Sequence, residues 1–175
     1  MMSKKKELLK AASRVVIADG VYRLTLEAVA DEAGVSKGGL LYHYSSKDEL
    51  IKAMNIFVIK QFREFIDNEM EMGCSYHQAY LRAISKSLQD DHYLNISTSM
   101  LAAISNNQDI LALWREEYHI IKENLCKEDV REAYTLLILT TCDGIWFSRL
   151  FDLTHIDTKE EQRLITYLLD LLEDE

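Results

Sequence analysis

TLEAVADEAGVSKGGLLYHYSSKDEL, residues 25–50, decides the fold. Thr25 is a good N-cap for a helix in which Leu26, Val29, Ala30 and Ala33 share one apolar face. Gly34 follows, where a chain leaving a helix needs the left-handed conformation that glycine enters most cheaply. Ser36 caps a second, very short helix, and Ser46-Lys47-Asp48-Glu49 reads as an S-x-x-E capping box opening a third. Two short helices across a glycine-containing turn form the arrangement that sets the second helix in a DNA major groove. The stretch therefore predicts a helix-turn-helix that binds double-stranded DNA.

Working outward, Leu8, Leu9, Ala12, Val15, Val16 and Ala18 give an apolar stripe at helical spacing, which predicts a helix over about 5–19 ended by Gly20. Residues 1–46 then form a three-helix DNA-binding domain, too small to be very stable alone. From Lys47 the positions Leu50, Ile51, Met54, Phe57, Val58, Phe62, Phe65 and Ile66 wrap beyond one narrow stripe. That predicts a helix to about Met70, roughly 35 Å long, connecting the small domain to a body spanning 47–175.

There are no prolines and six glycines, four of them at Gly20, Gly34, Gly38 and Gly39. With so few breakers the expected fold is all-α, with about nine helices. After Gly73, weaker helical segments are expected at about 76–88, 94–105 and 110–125. A strongly apolar helix follows at about 128–151, with Leu136-Leu137-Ile138-Leu139 apolar around the whole circumference. A capping box at Thr158-Lys159-Glu160-Glu161 opens the last helix. One chain has little room to bury both final helices, so a homodimer is expected, with Leu137, Trp146, Leu164, Ile165, Leu168, Leu169 and Leu172 at its interface.

The net charge of −9 is uneven. Residues 1–52 hold nine of the 20 Lys and Arg against seven of the 29 Asp and Glu, leaving eleven against twenty-two beyond. Acidic bulk repels phosphates, so the N-terminal end is the one that can face DNA. The longest apolar run, about 133–142, falls short of the roughly 20 residues a membrane span needs. No signal-peptide pattern follows Lys4-Lys5-Lys6, and Cys74, Cys126 and Cys142 are odd in number and widely spaced. These features predict a cytoplasmic protein without a membrane partner.

The segment VADEAGVSKGGLLYHYSSKDEL resembles the signature of the tetracycline-repressor (TetR) family of bacterial transcriptional regulators. The resemblance is specific over about the first fifty residues and architectural beyond them. It implies a homodimer whose C-terminal helical body takes a small-molecule effector and dimerises, usually a repressor that leaves DNA when the effector binds. Carried over by position, it implies that Thr25 and Lys47 touch the DNA backbone. It places Ser36, Lys37 and Gly38 at the start of the recognition helix, Tyr42 and His43 at its groove- and phosphate-facing end, and Tyr44 in the small core. Two residues depart from the pattern: Gly39 stands where Thr, Ser or Ala is common, and Leu41 where Tyr is common. Both remove hydrogen-bonding groups, although Leu41 can touch a thymine methyl or turn into the core.

Other motifs carry less. Cys74 and His77 have C-x-x-H spacing, but no second pair follows, so no metal site is expected. Asp143 in the apolar helix needs a partner, for which Arg149 or a residue across the dimer is the expectation. No nucleophile–base pairing, Gly-rich phosphate loop or carboxylate dyad is present, so neither an enzyme nor a cofactor is expected. Met70, Met100, Trp114, Tyr118, Cys142 and Trp146 are the candidates for an effector pocket, since mobile thioethers and flat aromatics suit one. The rival to a DNA-binding regulator is a helical protein-interaction module without DNA binding.

Overall fold

Helix boundaries in the computed structural model follow local chemistry closely. The structure describes residues 4–20, 23–90, 93, 107–150, 153 and 157–173. Eight helices are described: α1 Lys4–Asp19, α2 Leu26–Glu32, α3 Lys37–Leu41, α4 Lys47–Glu71, α5 Tyr76–Gln89, α6 Gln108–Leu125, α7 Glu132–Leu150 and α8 Thr158–Glu173. There is no strand among the described residues. The expected segment at 94–105 lies outside them. Gly20, Gly34 and Gly73 take φ of +80°, +62° and +93°, each where a helix has just ended.

The chain divides into two compact units, Met1–Lys60 with His92–Trp114, and Gln61–Asp91 with Arg115–Glu175. The first therefore runs past residue 46 into α4, and α4 and α6 each contribute residues to both. In the first unit α1 packs on α2 and α2 on α3. Leu8, Ala12, Val16, Leu24, Val29, Leu40, Leu50, Met54 and Val58 form its buried interior. Tyr44 joins that core, and burial pushes its hydroxyl above the ordinary tyrosine range. Buried Asn55 donates from Nδ2 to the Ile51 carbonyl at 2.9 Å and accepts from Trp114 Nε1 at 2.9 Å.

In the second unit α5 packs against α7 and α8. Ala79, Tyr80, Ile84, Ile138, Cys142, Ile145, Ile165 and Leu168 are buried there. Burial pushes the Cys142 thiol well up, away from thiolate reactivity. Three carboxylates enter this unit with dedicated partners. Glu117, 3% exposed, is held bidentately by Arg63. Glu161, 2% exposed, takes both Arg149 Nε at 2.7 Å and Nη2 at 2.8 Å. Glu128 accepts from the backbone amides of Tyr76 and His77 and meets His77 Nδ1 at 2.5 Å.

Several local expectations are corrected by these pairings. The capping box of α8 is Asp157 with Glu160, one residue earlier than expected: Asp157 Oδ1 accepts from the Glu160 amide at 2.8 Å, and Glu160 Oε2 accepts from the Asp157 amide at 2.9 Å. The reason is that Arg149 claims both Thr158 Oγ1 and Glu161. Asp143 accordingly finds the Tyr118 hydroxyl, at 2.9 Å, instead of Arg149. Burial raises its carboxyl above the ordinary value and the Tyr118 hydrogen bond partly offsets that. At α4, Ser46 Oγ caps the Glu49 amide at 3.1 Å, but the Glu49 carboxylate turns to Ser45. His77 of the C-x-x-H pair is wholly buried, its Nε2 2.9 Å from Thr135 Oγ1, so both ring nitrogens are occupied. No group of three or more His, Cys, Asp or Glu gathers as a metal site among the described residues.

Glu128 gives α5 a negative charge at its amino end as well as ligands for three donors. Burial works to raise its carboxyl, but the hydrogen bonds from His77 and from the two amides outweigh that and hold it below the usual 4.5. The folded state thus favours the ionised form. Its stabilisation is complete above 4.5 and lost as pH falls through the lower folded value. Glu128→Ala leaves those donors unmet and should cost about 2 kcal/mol near neutral pH, a fall of about 4–8 °C in Tm. The gap from the parent should narrow as pH falls below 4.5 and the folded-state carboxylate is protonated. Melting curves of both proteins across pH check this, and a gap of constant size would exclude the charged carboxylate as its source.

Candidate nucleic-acid interface

The helix-turn-helix is built from two serine/threonine caps and one buried anchor. Thr25, in extended backbone, accepts the Ala28 amide on Oγ1 at 3.1 Å. Ser36 does the same for Gly39 at 3.1 Å. Each hydroxyl uses only a lone pair in capping and keeps its proton, which an adjacent phosphate oxygen can accept. Leu40 is the inward anchor of α3, fully buried, while Leu41 is 37% exposed and does not turn into the core.

The outward side of α3 is nearly bare. Gly38 and Gly39 are both exposed. A Cβ on Gly39 would sit 3.3 Å from Ser36 Oγ, pressing on the capping hydroxyl, whereas one on Gly38 would meet nothing closer than 4.0 Å. Tyr42 is 85% exposed, and its ring meets that of half-buried His43 edge-on at 5.1 Å and 78°. Lys47, half-buried, opens α4.

One member of this surface escapes sequence reasoning. The Lys37 ammonium donates to the Glu27 carboxylate in the first turn of α2, and holds that carboxyl below its ordinary value. A separation of ten residues matches no helical neighbour rule; only closure of the turn brings the pair together.

The remaining candidates are distributed as follows. Trp114 belongs to the first compact unit, and Met70, Tyr118, Cys142 and Trp146 to the second. Met70 and Tyr118 are 40% and 45% exposed, Cys142 is buried and Trp146 half-buried. Met100 lies outside the described residues. An open groove of about 590 Å³ in the second unit is lined instead by Glu69, Met72, Arg82, Lys86, Ile165 and Leu169, among others. Of the interface candidates, Ile165 and Leu168 are 4% and 2% exposed, buried within one chain where α8 packs on α5. Leu164, Leu169 and Leu172 are half-buried, and Leu137 is 43% exposed.

A capped pair of short helices with an exposed, glycine-faced second member defines a helix-turn-helix DNA-binding regulator. The family model described as bacterial regulatory proteins, tetR family, matches residues 8–54, and the tetracyclin repressor-like C-terminal domain matches residues 75–173. The chain belongs to the TetR family of transcriptional regulators, a family of DNA-binding proteins and not of enzymes. Among its relatives is the HTH-type transcriptional regulator BetI of Yersinia pestis (strain Pestoides F), 22% identical over 175 residues that cover 93% of this chain and 88% of that protein. A transcriptional regulator from Rhodococcus sp. Rha1 shares the fold, with a TM-score of 0.78, 18% identity and coverage of 97% and 95% of the two chains. So does the multidrug-binding protein EbrR complexed with imidazole, at a TM-score of 0.71, 19% identity and 96% coverage of both chains. No helix among the described residues is long and apolar enough to cross a membrane.

Lys47→Ala should weaken binding to all DNA sequences about equally. It should also make the log–log salt dependence about one unit shallower per subunit, because one phosphate neutralisation is lost. Filter-binding titrations over a range of salt concentrations measure both. A changed sequence preference with an unchanged slope would remove Lys47 from the phosphate contacts.

Proposed function

We infer that this chain is a homodimeric repressor of the cytoplasm, released from its operator when a small apolar or aromatic molecule binds its C-terminal body. In this reading residues 1–46 bind DNA and 47–175 bind the effector and dimerise. Ser36, Lys37, Gly38, Gly39, Leu41, Tyr42 and His43 address the major groove and its flanking phosphates, with Thr25 and Lys47 on the backbone. The observation that carries it is the exposed surface of α3, where side chains withdraw at Gly38 and Gly39 and reappear at Tyr42.

The dimer reading rests on α7. Ala133, Leu136, Leu137, Thr140, Gly144 and Phe147 recur at helical spacing and are all exposed, with Leu136, Leu137 and Phe147 at 44%, 43% and 48%. An apolar stripe of this kind calls for a partner surface, and a second copy supplies one by two-fold symmetry. The effector reading draws on EbrR, the structural relative seen with imidazole.

Because Leu168 is buried within one chain, a charge there threatens folding before assembly. Leu137→Glu is the cleaner test. Sedimentation should show a dimeric parent and a monomeric, helical variant with operator affinity lowered together with dimerisation. A variant that remains dimeric would move the interface away from α7. For the effector, compounds that raise the melting temperature of the DNA-free protein should lower its operator affinity, since the two binding events are linked. Stabilising compounds that leave operator affinity unchanged would oppose the ligand-responsive reading.

A further inference from the structure

Lys37 and Glu27 touch through their side-chain tips, so in this arrangement the Glu27 carboxylate lies within one hydrogen-bond length of the Lys37 ammonium. Both side chains are more than half exposed, at 56% and 58%. A carboxylate at a phosphate-binding surface opposes binding, because a phosphate oxygen offers it no donor and repels its charge. A base edge is different. In the major groove a G·C pair presents the guanine N7 and O6 acceptors beside the cytosine N4 amino donor. An ammonium held next to a carboxylate is the complementary donor–acceptor couple.

We propose that Glu27 is a specificity determinant of this interface, acting with Lys37 as one unit that selects a G·C base pair in each operator half-site. This rests on the assignment of α3 as the recognition helix. Lys37 donates to guanine O6 or N7, Glu27 accepts from cytosine N4, and the ion pair between them survives in the complex. At a phosphate, by contrast, Lys37 has to leave Glu27 and strand its charge against the DNA. The pair therefore favours operator over bulk DNA twice, by reading one base pair and by withholding a cation from non-specific phosphates.

The test selects binding sites from randomised duplex DNA with the full chain, then measures affinity for the enriched operator and its single base-pair variants. The parent, E27A, E27Q, K37A and Y42A are compared. The parent should enrich G·C at one position per half-site and lose between about fivefold and about 150-fold in affinity when that pair becomes A·T. E27A and K37A should lose this discrimination, while E27Q, which keeps an oxygen acceptor, should retain it. E27A should also steepen the salt dependence by about one unit per subunit as Lys37 becomes free to neutralise a phosphate. Overlapping thermal melts exclude unfolding as the cause. Uniformly tighter binding of E27A with unchanged preference would reduce Glu27 to a repulsive charge and overturn the proposal. Loss of discrimination in K37A but not E27A would overturn it too, leaving Lys37 to read alone. If neither K37A nor Y42A altered preference, the recognition-helix assignment would fail first, and the proposal with it.

Discussion

A helix of five residues cannot hold itself together in water, because nucleation costs more than so few hydrogen bonds return. α3, Lys37–Leu41, is such a helix. It keeps its shape because Ser36 caps its start, Gly34 turns the chain in the left-handed region, and fully buried Leu40 ties it to the core of α1, α2 and α4. Everything α3 can do at a DNA surface depends on that anchoring. Its exposed side chains are available at the surface because a single buried leucine carries the packing.

The second unit follows a different rule. It is acidic, yet it places Glu117 and Glu161 inside, each matched to an arginine, and gives half-exposed Glu128 to the amino end of α5 and to His77. Breaking such a pair strands a buried charge, which costs far more than the pair contributes when intact. These contacts therefore fix which helix faces meet, while the apolar residues of α5, α7 and α8 supply the burial. The apolar stripe of α7 is what this arrangement leaves exposed.

Much of the helix-turn-helix was legible in the sequence because its determinants are local. Thr25, Gly34 and Ser36 act within three or four residues of themselves, and each does in the structure what its chemistry requires. Long-range polar pairing was not legible. Arg149 reaches Thr158 and Glu161, which displaces the α8 cap to Asp157 and sends Asp143 to Tyr118. The Lys37–Glu27 pair is illegible for the same reason, since it exists only once the turn has closed. Periodicity also placed Ile165 and Leu168 on an apolar face without saying whether that face meets the chain's own α5 or another molecule; within the chain, they are buried.

The central claim is that DNA meets this protein at the caps and outer surface of α2 and α3. Amide hydrogen exchange, compared between the free protein and its operator complex, tests it most directly. New protection should concentrate at residues 25–28 and 36–43, where short, capped and exposed helices exchange quickly until covered. Protection confined to the helices between residues 115 and 173, with 36–43 exchanging as fast in the complex as in the free protein, would contradict it.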